Sequence, residues 1–267
     1  MQLTFTKMTA LGNDFIMIDG DQFSVEDIAP FTQQLCDRHF GIGADGVIFI
    51  LPPSNSSVAH AQMRIFNSDG SEAQMCGNGI RCFAHYLLNR GAFSEETLLV
   101  ETLAGILSIT KSDTGYTVDM GAPQSIATAH QIVETSQGGF SLLPISMGNP
   151  HAVIFTNNIT DELVVKAGPE IEKDTLFPEK TNVEFCSIID RTSINMRVWE
   201  RGCGETLACG TGACAAVVAG ITQKLLNTHV VVHLLGGKLS ISWSGNTEDS
   251  VIMSGEAHTV FTGTIEL

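Results

Sequence analysis

The pattern Glu-x-x-x-Cys-Gly-x-Gly occurs twice in this chain, at 72–79 and at 205–212, and no other feature restricts the fold as strongly. Each copy runs straight into an apolar stretch, IRCFAHYLLNR (80–90) after the first and ACAAVVAGITQKLL (213–226) after the second. The likeness extends in both directions. LLVETLAGILSI (98–109) follows the first copy as VVVHLLGGKLSI (230–241) follows the second, and LGNDFIMI (11–18) precedes the first as MGNPHAVIF (147–155) precedes the second. Ordered correspondences at near-constant spacing mean that one design is carried twice.

Alternation in TLLVETLAGILSIT (97–110) and KLSISW (238–243) predicts strand, and the segments after the two glycine turns predict helices. The expected fold class is therefore α/β, with two pseudo-symmetric domains. Each is a β-sheet wrapped around a central helix that begins at its Cys-Gly-x-Gly turn, with the active site in the cleft between them. Gly and Pro cluster in GYTVDMGAP (115–123), where the strands of the first copy are expected to have ended. That places the domains at 1–117 and 118–258. The last strand, HTVFTGTIEL (258–267), has no counterpart behind the first copy and is expected to complete the N-terminal domain as 259–267.

A length of 267 residues suits two such domains. The net charge of −15 is spread along the chain and speaks against nucleic acid and anionic membranes as partners. No run of about eighteen apolar residues exists, and the N-terminal stretch is not a secretory signal, so a cytoplasmic protein is expected. None of the seven cysteines forms a CxxC pair, so no metal site or disulfide framework is expected. Cys36, Cys82, Cys186, Cys203 and Cys214 lack the matched setting and read as small buried hydrophobes. No stretch marks a dimer surface, although a homodimer is compatible with the sequence.

Cys76 and Cys209 are different, because each stands at the door of a helix. A helix N-terminus offers unpaired N–H groups and partial positive charge, which favour a thiolate and receive a carboxylate. Two such termini converging on one small anion would put a thiol on either side of it. That suits proton removal from one face of a carbon beside a carboxylate and delivery to the other, as in racemisation or epimerisation. A phosphatase loop needs an Arg later than Arg81 stands, a P-loop needs Gly-Lys-Ser/Thr, and a hydrolase would leave one cysteine unused.

GNDF (12–15), NSDGSEAQMCGNGIRC (67–82), GNPH (148–151), TNVEF (181–185) and ERGCGETLACGTGACAA (200–216) together resemble the diaminopimelate epimerase family, in order and over essentially the whole chain. The resemblance implies an enzyme without cofactor that interconverts LL- and meso-diaminopimelate, its small-molecule substrate, on the route to lysine and peptidoglycan precursors. It implies Cys76 and Cys209 as the acid–base pair, and Gly77, Asn78, Gly210 and Thr211 as the turn residues that hold the reacting carboxylate. It further implies Asn13, Asn67, Asn149 and Asn182 lining the cleft and Glu200 with Arg201 at the far amino acid centre. His151 and Glu200 are implied to adjust the protonation of the cysteines. Two departures bear on fine substrate preference. KMTALGND (7–14) lacks the usual His-Gly, and Gly46 stands where some members carry a polar side chain, so no contact is assigned there.

Two other readings of the same residues stay open at this level. One is a proline or hydroxyproline racemase, which would leave Glu200, Arg201 and the asparagines without a second head group to bind. The other is a thiol redox or ligand sensor without turnover, which needs only the cysteine pair.

Overall fold

A computed structural model describes residues 2–20, 25–91, 97–127 and 129–266. The chain forms two compact units, Met1–Val118 with Gly255–Leu267, and Asp119–Ser254. The elements of the first copy are β1 (Gln2–Ala10), β2 (Asn13–Asp19), α1 (Val25–Cys36), β3 (Gly46–Leu51), β4 (Ala61–Asn67), β5 (Glu72–Ala73), α2 (Gly77–Asn89), β6 (Thr97–Thr102), β7 (Gly105–Ser112) and β8 (Gly115–Asp119). Pairing is antiparallel β1–β2, parallel β2–β3, antiparallel β3–β4, parallel β4–β6, then antiparallel β6–β7 and β7–β8. A parallel pair needs a crossover, and α1 and α2 supply the two.

The second copy has β9 (Ser125–Ile126), β10 (Gln131–Thr135), β11 (Gly138–Ser146), β12 (Pro150–Phe155), α3 (Asp161–Glu172), β13 (Asn182–Asp190), β14 (Ser193–Glu200), β15 (Gly204–Thr206), α4 (Gly210–Thr222), β16 (His229–Leu234), β17 (Gly237–Ser242) and β18 (Ile252–Gly255). From β11 onward the signs repeat: antiparallel to β12, parallel to β13, antiparallel to β14, parallel to β16, antiparallel to β17 and β18. β10 adds antiparallel to β11. The corresponding place on β1 is taken by β19 (His258–Glu266), from the far end of the chain. Position 267, the end of that expected strand, lies outside the described residues.

Two details correct the sequence reading. The segment 97–110 is a hairpin rather than one strand, reversing at Leu103-Ala104 because Gly105 takes a φ of +114°. The expected boundary is itself partly strand: Gly115–Asp119 pairs with β7, so the first copy's strands have not ended at 115. Glycine clustering marked a turn, and the alternating Tyr116 and Val118 behind it are buried.

The centre of each unit is a helix. α4 presents Ala213 to Ala219 with every side chain buried, which requires an apolar surface all round. α2 buries Ile80, Phe83 and Leu87 against the strands of its own unit. Each such side chain contributes about 1.5–3 kcal/mol on leaving water. No helix among the described residues is long and apolar enough to cross a membrane.

Candidate active site

The glutamate that opens each motif has a structural partner. Arg64 donates to Glu72 through Nε at 2.5 Å and Nη2 at 2.6 Å, and Arg197 donates to Glu205 through Nε at 2.6 Å and Nη2 at 2.9 Å. Both arginines lie eight residues ahead of their glutamate, on β4 and β14. A planar fork on a carboxylate fixes both position and angle, so each pair holds the short strand, β5 or β15, that delivers the cysteine. The sequence reading passed over these arginines, although the equal spacing in both copies was a usable signal.

Cys76 is the N-cap of α2, half-buried, with an extended backbone, and its Sγ accepts from the Gly79 amide at 3.4 Å. Asn13 Oδ1 stands 3.8 Å from that sulfur. A directed set of bonds fixes the amides here. Arg81, fully buried, donates to Asn78 Oδ1 at 2.7 Å; Asn78 Nδ2 donates to Asn13 Oδ1 at 3.3 Å; Asn13 Nδ2 donates to Asp45 Oδ2 at 2.7 Å. Arg81 also donates to Gly77 O at 2.7 Å. Asp45 shares Arg38 with Asp14, which Lys7 also contacts. Burial pushes Asp14 up, but the bonds from Arg38 and Lys7 outweigh it and hold the carboxyl at about 2.

Cys209 caps α4 and is buried. Its sulfur lies 3.5 Å from Thr211 Oγ1, and the Glu200 carboxyl accepts from Thr206 Oγ1. Burial raises Glu200 above the usual carboxylate range. Burial, followed by the Glu200 and Glu184 carboxylates, pushes the Cys209 thiol well up. This corrects the expectation that a helix N-terminus lowers it. The dipole is a fraction of a charge spread over a helix end, and here desolvation with two carboxylates outweighs it.

Asn149 Nδ2 donates to Thr211 Oγ1 at 3.3 Å, and His151, fully buried on β12, lies behind it. His151 Nε2 is 3.0 Å from Asn149 Oδ1, and its Nδ1–H donates to Glu184 Oε1 at 2.7 Å. Glu184 was in view only as part of TNVEF; its role depends on the register of β13 against β12. Cys209, Thr211, Glu200, Asn149 and His151 are thus gathered in one cluster, as Cys76, Gly77, Asn78 and Asn13 are in another.

Other sites stand apart. Asn67 is exposed and donates to Ser71 Oγ at 3.0 Å. Asn182 is buried, with Nδ2 on Pro150 O at 2.9 Å and Oδ1 accepting from the Arg201 amide at 3.0 Å, so it ties two site loops together. The Arg201 side chain is exposed and reaches Glu179 O at 3.2 Å. Gly210 is buried in the first turn of α4. A Cβ on Gly46 would lie 2.6 Å from Phe66 O, so no side chain fits there without moving backbone. Cys36, Cys82, Cys186 and Cys214 are buried, and burial lifts Cys36 and Cys82 to about 12. Cys203 corrects the reading: it is exposed, because it lies in the turn between β14 and β15. Among the described residues no group of three or more His, Cys, Asp or Glu is placed to hold a metal ion.

The model of the diaminopimelate epimerase family matches residues 5–126 and 144–260. The chain is 48% identical to the diaminopimelate epimerase of Halothermothrix orenii, over 99% of this chain and 98% of that one. It is 44% identical to that of Acetivibrio thermocellus, over 99% of both. Among solved structures, a PhzF-family phenazine biosynthesis protein from Bacillus anthracis superposes with a TM-score of 0.75 at 17% identity over the full length of both chains. A hydroxyproline epimerase from Agrobacterium vitis gives 0.75 at 15%, covering 99% of this chain and 92% of the other. At such identities the likeness is one of fold.

Proposed function

The chain belongs to the diaminopimelate epimerase family, and from that premise we propose that it interconverts LL- and meso-diaminopimelate, with Cys76 and Cys209 as base and acid. The observation that carries this reading is that both cysteines cap the central helices of their units. One thiolate takes the α-proton while the other thiol returns a proton to the opposite face of the same carbon. The reacting α-proton is a very weak acid, so charge moving into the carboxylate has to meet fixed donors. The backbone N–H groups of the first helical turns, at Gly77 and Asn78 and at Gly210 and Thr211, supply them. The electron pair left by the proton moves into that carboxylate and is met by those donors, so the proposed scheme uses no electron-sink cofactor.

His151 and Glu200 adjust the proton affinity of the cysteines, and the Glu200 carboxylate acting on the buried Cys209 supports that role. Arg201, exposed next to Glu200, meets the distal carboxylate with its planar fork. Asn13, Asn67, Asn149 and Asn182 frame the substrate, the last through the loops it ties. Membership of this family leaves neither proline racemisation nor a thiol sensor with a supporting observation. We further propose a cytoplasmic location, where thiols stay reduced; sedimentation of the reduced protein decides between monomer and homodimer.

The test is proton NMR of reduced protein in D₂O with LL-diaminopimelate, and with L-proline and L-glutamate in parallel. Deuterium entering only diaminopimelate, with meso product forming, is the expected result. Exchange at proline or glutamate instead would overturn the substrate, and no exchange at all would overturn the reaction.

A further inference from the structure

The two copies of the repeat differ at one buried pair. β2 runs beside β3 with Phe15 opposite Gly46, and β12 beside β13 with His151 opposite Asn182. Aligning the registers puts His151 at the position of Phe15 and Glu184 at the position of Ile48. The helices agree: a Cβ on Gly79 would lie 3.1 Å from Ile48 Cδ1, and one on Gly212 would lie 2.6 Å from Glu184 Oε1. An apolar pair under α2 is thus replaced under α4 by a histidine–carboxylate pair with no solvent exposure.

The first copy demonstrates that the scaffold closes over Phe15 and Ile48. Burying a carboxylate and an imidazole instead costs desolvation, and well-packed apolar residues in their place are often neutral or stabilising. The reason for the pair therefore lies in the chemistry above it. From Glu184 outward the contacts form one line: His151 Nδ1 at 2.7 Å, His151 Nε2 to Asn149 Oδ1 at 3.0 Å, Asn149 Nδ2 to Thr211 Oγ1 at 3.3 Å, and Thr211 Oγ1 to Cys209 Sγ at 3.5 Å. A carboxylate can only accept, so Glu184 orients a proton on His151 Nδ1, and the 3.0 Å contact to Asn149 Oδ1, also an acceptor, takes an N–H from Nε2. Among the described residues Glu184 Oε2 accepts no hydrogen bond, and the carboxylate lies beneath the first turn of α4, its Oε1 2.6 Å from where a Cβ on Gly212 would stand.

We propose that Glu184 is a positioning residue for Cys209, setting the His151 ring and through it the Asn149 amide at Thr211, while its carboxylate beneath the first turn of α4 favours the thiol form of Cys209. This rests on the reading of Cys209 as an acid–base group. The charged and titratable groups around the cluster are Glu184 and Cys186 from β13, Glu200 from β14 and His151 from β12.

The test is Glu184→Gln, which keeps shape and removes charge. Expected are a kcat at least about tenfold lower with KM within about threefold, and alkylation of Cys209 moving to lower pH. Cys209 is read in a Cys76→Ala background, and Cys76 in a Cys209→Ala background should keep its profile. A folded Glu184→Gln protein with kcat and both profiles unchanged overturns the proposal. Should that variant not fold, the ¹⁵N signals of His151 in the unsubstituted protein decide: a proton on Nδ1 supports the proposal and a bare Nδ1 overturns it. If the unsubstituted protein fails to epimerise diaminopimelate, that sinks the substrate reading, while the Cys209 profile still tests Glu184.

Discussion

Cys76 and Cys209 cap equivalent helices at equivalent points, yet the groups around them differ. Beside Cys76 the first turns of α2 carry a buried arginine, Arg81, and the acidic groups of that region, Asp14 and Asp45, are paired with Lys7 and Arg38. α4 has no charged residue along its length, and Cys209 lies buried near the carboxylates of Glu200 and Glu184. A shared backbone therefore fixes where a thiol stands, while the residues beneath and beside it decide which protonation state is favoured.

The comparison is broken most severely by removing either sulfur. Cys76→Ala and Cys209→Ala should each lower epimerisation at least about a thousandfold while leaving the fold intact; near-normal turnover in either, with native circular dichroism, would contradict the pairing. Next comes the transplant of the first copy's pair into the second, His151→Phe with Glu184→Ile. Thermal or urea unfolding should find stability unchanged or raised by about 1–4 kcal/mol, with epimerisation lost. A loss of stability instead would mean that the polar pair holds the fold.

A smaller contrast is expected from the second glycine of each motif. In Gly212→Ala the methyl meets Glu184 Oε1 at 2.6 Å, a fixed carboxylate, whereas in Gly79→Ala it meets the Ile65 and Ile48 tips at 3.0 and 3.1 Å. Initial rates should fall about tenfold or more in the first and clearly less in the second. Equal losses would remove the asymmetry.

The least effect is expected at Asp14. Its folded value of about 2 lies below the ordinary 3.8, so its contribution is complete above about pH 4 and is lost as pH falls through about 2. Acid unfolding of Asp14→Asn should show about 1–2 kcal/mol less stability near neutral pH, the exposed Arg38 partner being screened. The difference should close at low pH.

The repeat was legible because its signal is local: glycines that turn the chain, apolar runs that become α2 and α4, and an Asn after Gly12 and Gly148, which both take positive φ. What escaped depends on neighbours in space. Glu184 looks like an interior strand residue until β13 is registered against β12, and Arg64 and Arg197 acquire meaning only when β4 and β14 lie beside β5 and β15. The direction of the Cys209 shift escapes for the same reason, since burial and the approach of Glu184 from β13 have no trace in the motif. Strand β8 falls where the Gly and Pro cluster of 115–123 marks the expected boundary, so the sequence shows its turns and not its pairing with β7.

The central claim is that two single-proton groups act from opposite faces. It is tested most directly by the early course of LL-diaminopimelate conversion in D₂O, followed by NMR of substrate and product together. Each thiol carries one exchangeable proton, so the meso product of the first turnovers should carry deuterium at the inverted carbon while the remaining LL substrate keeps hydrogen. Deuterium building up equally fast in the LL substrate, or protium retained in the product, would mean that one group takes and returns the proton, and would contradict the account.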